Sequence, residues 1–210
     1  MKQIQLFKHD ISKKTIQKRD NLTQIGSTAH SSTQREANDF YQTPTHAIEN
    51  FLECFVNRDK NQINLHVWEP SCGNGAISEV LTQHGHIVTS TDIIDRGYGE
   101  QKDFLIFNEN YGKGDIITNP PFKIIKEFLE KALSLLQDGQ QLILLMRLLC
   151  LEGKTRNKIF QQHPIKYVYI HTSRIACHKP NDTNTANAMA YAWFVWEKGY
   201  KGDSIMKWLP

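Results

Sequence analysis

The stretch that most limits what this chain can fold into is Asp115-Ile116-Ile117-Thr118-Asn119-Pro120-Pro121-Phe122, an apolar run that stops at two prolines before an amphipathic pattern from Lys126 to Leu136. A residue that precedes proline is pushed out of the helical region, which holds Asn119 and Pro120 extended or in a turn, and neither proline can donate a hydrogen bond. A strand therefore ends at Thr118 and a helix starts beyond Phe122. Between them lies a stiff corner lined with acceptors, the Asn119 side chain and the Pro120 carbonyl, with an aromatic ring at its exit. Such a corner can grip an amino group.

Strand and helix patterns alternate around this corner. Asn64 to Trp68 reads as a buried strand that runs into Glu69-Pro70-Ser71-Cys72-Gly73-Asn74-Gly75, and Ala76 to Leu81 reads as a helix. Two glycines let a ligand approach the backbone, and the helix N-terminus behind them presents free N–H groups. His86 to Thr91 is a second strand closing on Asp92-Ile93, and an acid at the end of the second parallel strand is where a doubly wound fold holds a ribose. No Gly-Lys-Ser/Thr follows the loop, which disfavours a phosphate loop, and Ser78 stands where a dinucleotide site needs a further glycine. A neutral or cationic nucleoside fits better than a pyrophosphate. Glu69 is costly at a mostly apolar strand end unless it is paired.

Asp103-Phe104-Leu105 reads as a third edge contact, with either a carboxylate for an adenine amino group or a surface acid beside a core ring. Asp115 to Thr118, Gln141 to Met146, Tyr167 to His171 and Ala190 to Trp196 complete the strands. Their alternation with helices predicts a parallel α/β sheet covered on both faces. Thr45 reads as the cap of a helix carrying Ile48, Phe51, Leu52 and Phe55 on one side. Thr172 to Met189 is a polar loop, long enough to suggest function.

A length of 210 residues suits one domain with a proper core. Residues 1–36 read as a basic, flexible arm and residues 37–210 as the domain. Residues 1–38 carry seven Lys/Arg against three Asp/Glu, so the +3 net charge sits in the arm. A second basic stretch runs from Arg147 to Lys179, with seven cations and only Glu152 opposing them. Two basic segments suggest a polyanionic partner. No stretch approaches a membrane span and the start lacks the apolar run of a secretory signal, so a cytoplasmic protein without a membrane partner is expected. The scattered Cys54, Cys72, Cys150 and Cys177 read as free thiols, and no metal site is expected.

Taken together, Asn119-Pro120-Pro121-Phe122 resembles the catalytic tetrapeptide of the S-adenosylmethionine-dependent amino methyltransferases that make N6-methyladenine or N4-methylcytosine. Glu69 to Gly75 looks like their donor-binding loop, Asp92 like the acid on the donor's ribose, and Asp103-Phe104 like the segment beside its adenine. Phe40-Tyr41-Gln42-Thr43-Pro44 is similar to the stretch that closes over the methionine end. From about Ala37 onward the chain resembles small phage-encoded members of this group.

The resemblance implies a doubly wound, seven-stranded, mostly parallel Rossmann-like sheet with an antiparallel strand near the C-terminus, and S-adenosylmethionine as cofactor. It makes Asn119, Pro120, Pro121 and Phe122 catalytic, and it gives the donor Tyr41, Thr43, Pro44, Glu69, Pro70, Ser71, Cys72, Gly73, Gly75, Asp92, Ile93, Asp103 and Phe104. The implied activity is methylation of an exocyclic amino nitrogen in DNA, adenine N6 before cytosine N4. RNA adenine or protein glutamine methylation is the alternative, as is a non-catalytic nucleic-acid-binding module. Only 88 residues follow Phe122, so little sequence preference is expected. Arg147, Arg156, Arg174 and Lys179 are the expected phosphate contacts. The protein is expected to be a monomer or a dimer.

Overall fold

A run such as Leu142 to Met146 has no polar face, so both of its sides must be covered, and the computed structural model shows how. It describes residues 41–175, 177 and 189–210. The predicted arm, Phe40, Lys179 and most of the 172–189 loop lie outside the described residues. The strands are β1 (His66–Glu69), β2 (Ile87–Asp92), β3 (Glu100–Gln101), β4 (Asp115–Thr118), β5 (Gln141–Arg147), β6 (Tyr167–His171), β7 (Tyr191–Glu197) and β8 (Ile205–Leu209). They form one sheet in the order β3-β2-β1-β4-β5-β7-β6-β8. Only β7 runs against its neighbours. The sheet is mostly parallel with an antiparallel strand near the C-terminus, as the sequence suggested.

The described residues hold eight strands rather than seven. The additional one is β8, which pairs with β6 in parallel from Tyr167↔Ile205 to His171↔Leu209. Its Ile205, Met206 and Trp208 remain exposed on the sheet edge, so the burial alternation that marks a strand in sequence is weak there. Leu105 joins a 3-10 turn, Phe104–Ile106, and the edge pairing beyond β2 comes from Glu100–Gln101 instead.

Among the described residues four α-helices flank the sheet: α1 (Thr45–Leu52), α2 (Ala76–Gln83), α3 (Ile125–Leu135) and α4 (Lys154–Gln162). Helix α1 continues into a π-helical turn, Glu53–Arg58. Pro44 occupies its N-cap position and no side chain caps it, so Thr45 is the first helical residue rather than the cap. The period-two rule divides β5 between two cores. Ile143 and Leu145 face α1 and α2 with Phe51, Leu81, Tyr169 and Trp193, whereas Leu142, Leu144 and Met146 face α3 and α4 with Trp68, Phe128 and Phe194.

At the N-terminal end of the sheet a fully buried carboxylate ties three segments together. Asp115 accepts from the backbone and side chain of Asn64 and from the backbone and side chain of Gln141. At the opposite end, the chain leaves β1 toward β2 and returns at β4. This is the switch point at which doubly wound sheets open a crevice.

Candidate active site

The crevice is a solvent-open cleft, lined from one side by Glu69, Ser71, Cys72, Gly73, Asp92 and Ile93 and from the other by Tyr41, Thr43, Asn119, Pro120 and Pro121. The glycine loop and the proline corner, 46 residues apart from Gly73 to Asn119, therefore face one space.

The loop after β1 is held by its own backbone. Cys72 N–H donates to the Thr91 carbonyl at 3.0 Å, and Gly73 N–H donates to Asp92 Oδ2 at 2.8 Å. Asp92 Oδ1 accepts from Ile94 N–H at 2.9 Å, so both carboxylate oxygens are anchored. Gly75 has φ of +88°, and a Cβ there would lie 2.4 Å from the Tyr98 ring. This glycine admits a tyrosine, not a ligand.

Glu69 is buried, and burial pushes its carboxyl up to about 8, against the lowering effect of hydrogen bonds from Ser78. Ser78 Oγ donates to Glu69 Oε2, and its hydroxyl also meets that of Ser90 at 2.6 Å. The residue that stands in place of a third glycine is thus the partner of the buried acid. Burial, reinforced by the nearby Glu69 and Asp92 carboxylates, pushes the Cys72 thiol up to about 12. It is not a thiolate at neutral pH. Cys54, Cys72 and Cys150 form no disulfide, and among the described residues no group of acids, histidines and cysteines could hold a metal.

The corner is as stiff as its prolines require. Asn119 Nδ2 donates to the Tyr41 carbonyl at 3.2 Å and to Thr43 Oγ1 at 3.1 Å. A backbone carbonyl only accepts, so this contact fixes which end of the amide is the NH₂. Asn119 Oδ1 is sheltered and has no hydrogen-bond partner among the described residues. A buried acceptor left in this way is unusual and calls for a functional explanation.

Not every expected residue joins the cleft. Asp103 caps the turn at Leu105, and Phe104 is buried between Trp68 and Phe128 at 5.1 and 4.4 Å. Pro44, Pro70 and Gly75 support the lining without being part of it. Phe122 is half-buried beside Tyr191, with ring centroids 6.3 Å apart. Arg147 lies over Phe122 rather than out in solvent. Arg156 is bound to the carbonyls of Cys150, at 2.8 Å, and Glu152, so its donors are directed at the chain itself rather than at a phosphate. Arg174 is exposed. Gln42 and Asn74, which stand in the two expected donor stretches without having been singled out, line the cleft, and so do Ala76, Ile77 and Arg96, which lie outside them. Arg96 follows Asp92 in the same loop, which was the available signal.

No protein-family model matches the sequence, and no curated protein does either. Solved structures do match. A Listeria monocytogenes protein assigned to the class I S-adenosylmethionine-dependent methyltransferases superposes with TM-score 0.55 at 14% identity, over 92% of this chain and 72% of that one. The fold is that of the class I methyltransferases. The methyltransferase subunit of a type I restriction-modification system from Streptococcus thermophilus gives TM-score 0.55 at 11% identity, over 79% of this chain and 46% of that one. Magnesium protoporphyrin IX methyltransferase from Synechocystis, crystallised with bound S-adenosylmethionine, gives 0.51 at 16% identity, over 74% and 79%. This chain spans just under half of the restriction-modification subunit. At such identities the likeness is one of fold. No helix among the described residues is long and apolar enough to cross a membrane.

Proposed function

We propose that this protein transfers a methyl group from S-adenosylmethionine to an exocyclic amino nitrogen of a nucleic-acid base, foremost adenine N6 in DNA, with little sequence preference. The observation that carries this reading is the Asn119 amide: its NH₂ is held by Tyr41 and Thr43, and its carbonyl oxygen is left without a partner, among the described residues, beside the cleft that Gly73 and Asp92 line.

The residues present fit the donor. When bound, S-adenosylmethionine supplies an electrophilic methyl group on a sulfonium. Glu69, a buried acid held by a hydroxyl and by no cation among the described residues, gains from an ammonium partner and would take the methionine amino group. Asp92 has both oxygens anchored and keeps lone pairs for ribose hydroxyls. Ile93, 57% exposed at the cleft, offers an apolar face to a purine.

The acceptor side would do the rest by positioning. An exocyclic base nitrogen is a poor nucleophile because its lone pair is delocalised into the ring. Asn119 Oδ1 and the Pro120 carbonyl can accept hydrogen bonds from its two hydrogens and favour a pyramidal nitrogen, which stabilises charge as the N–C bond would form and the sulfonium S–C bond break, the surplus proton then passing to water without a strong base. Phe122 would stack on a base that has left its helix. Exposed Lys154, Lys158 and Arg174 remain as phosphate contacts.

The test is product identification. The protein is incubated with methyl-labelled donor and, separately, with DNA, RNA and a glutamine-containing peptide, followed by digestion and mass spectrometry. N6-methyladenine from DNA is expected. Product only from RNA or peptide would move the substrate, and label in no fraction would contradict the enzymatic reading.

A further inference from the structure

Arg147 is the last residue of β5 and is paired with Tyr191, the first residue of β7. Its guanidinium lies 4.7 Å from the Phe122 ring centroid and 6.0 Å from that of Tyr41, distances at which a cation is drawn to an aromatic face. It also lies near enough to the buried Tyr191 hydroxyl to oppose the upward push of burial on that group. These contacts converge on two groups of the site. Phe122 is the exit ring of the corner, and Tyr41 supplies the carbonyl that orients the Asn119 amide.

Building on the function above, we propose that Arg147 is a positioning residue for methyl transfer: a clamp that ties the Phe122 stacking ring to the Tyr41–Thr43 segment, so that ring and amide keep one mutual geometry. A planar guanidinium can lie against two rings at once, whereas an ammonium is a compact point charge and cannot. The basic stretch of the sequence suggests a phosphate contact for this arginine, whereas its surroundings are aromatic.

The two roles separate in kinetics. Arg147→Met keeps an unbranched apolar stem and removes the charge and fork. A clamp predicts a kcat on DNA lower by about ten- to a hundredfold, with KM for DNA and donor affinity nearly unchanged, because misplacing a reacting group costs rate rather than binding. Arg147→Lys should restore little. A raised KM with unchanged kcat would overturn the clamp in favour of a phosphate contact. Parallel loss of donor affinity would overturn it too, since the whole cleft would then have moved.

A second readout does not depend on activity. The Asn119 side-chain NH₂ pair, assigned in ¹⁵N spectra by its disappearance in Asn119→Asp, should be held in the wild type and averaged in Arg147→Met. Phe122→Leu, which removes the other end of the clamp, should average it as well and serves if the arginine variant does not fold. An unchanged amide signal in both variants would overturn the clamp. An averaged signal in a protein that methylates nothing would uphold the clamp and overturn the proposed function.

Discussion

The two walls of the cleft handle their polar groups in opposite ways. On the donor wall, Asp92 has both oxygens bound by Gly73 and Ile94 N–H groups, and Glu69 is bonded by Ser78. On the acceptor wall, Asn119 is pinned through its nitrogen, while its oxygen has no partner among the described residues. One wall has its carboxylates held in place in the free protein and the other is poised to accept two hydrogens. A site that binds one ligand before reacting with another benefits from this asymmetry. The donor wall needs shape, and the acceptor wall needs an acceptor that nothing else has claimed.

Removing that acceptor should have the largest effect. Asn119→Ala is expected to lower turnover by about a thousandfold while donor affinity changes little, as happens when one donor or acceptor is taken from a preorganised polar site. Calorimetry beside single-turnover assays checks it, and a loss of donor binding would show that the walls are not separate.

Changes on the donor wall should do the reverse, with smaller effect. Asp92→Ala and Glu69→Gln are each expected to weaken donor affinity by about ten- to a hundredfold, the value of a hydrogen bond to a charged group. Glu69 also gives the donor wall a pH signature. Its folded-state value of about 8 lies above the ordinary 4.5, so between those values the folded protein holds a proton that the unfolded chain has lost. The stabilisation is full below pH 4.5 and is lost as pH rises through about 8. Relative to Glu69→Gln, the wild type should therefore lose stability across that window, as denaturant titrations would read. If the ammonium of the donor pairs with the ionised acid, binding near neutral pH should release a proton from this site in the wild type and none in the Glu69→Gln variant. Buffers of different ionisation enthalpy would detect it.

The smallest effect is expected outside both walls. Arg156→Ala should leave DNA affinity and its salt dependence within about twofold, because the guanidinium is bound to backbone carbonyls, and should cost about 1 kcal/mol of stability. A shallower salt slope would return Arg156 to the phosphates.

Which parts were legible in sequence follows from the range of the forces involved. The corner was legible because proline acts on its immediate neighbours, and the strand–glycine–helix unit because its signals are local. Ser78 was read as a missing glycine, since its bond to Glu69 spans a loop. Tyr98, which fills the space at Gly75, comes from 23 residues away. Arg147 looked like any cation of a basic run until the fold brought two rings to it. Strand β8 was missed because an exposed edge strand shows little burial alternation.

The decisive experiment is a crystal structure with the demethylated donor, S-adenosylhomocysteine. Its amino group is expected at Glu69, its ribose at Asp92 and its sulfur facing the Asn119 carbonyl oxygen across the cleft. A ligand bound elsewhere, or a sulfur turned away from the proline corner, would contradict the pairing of the two walls.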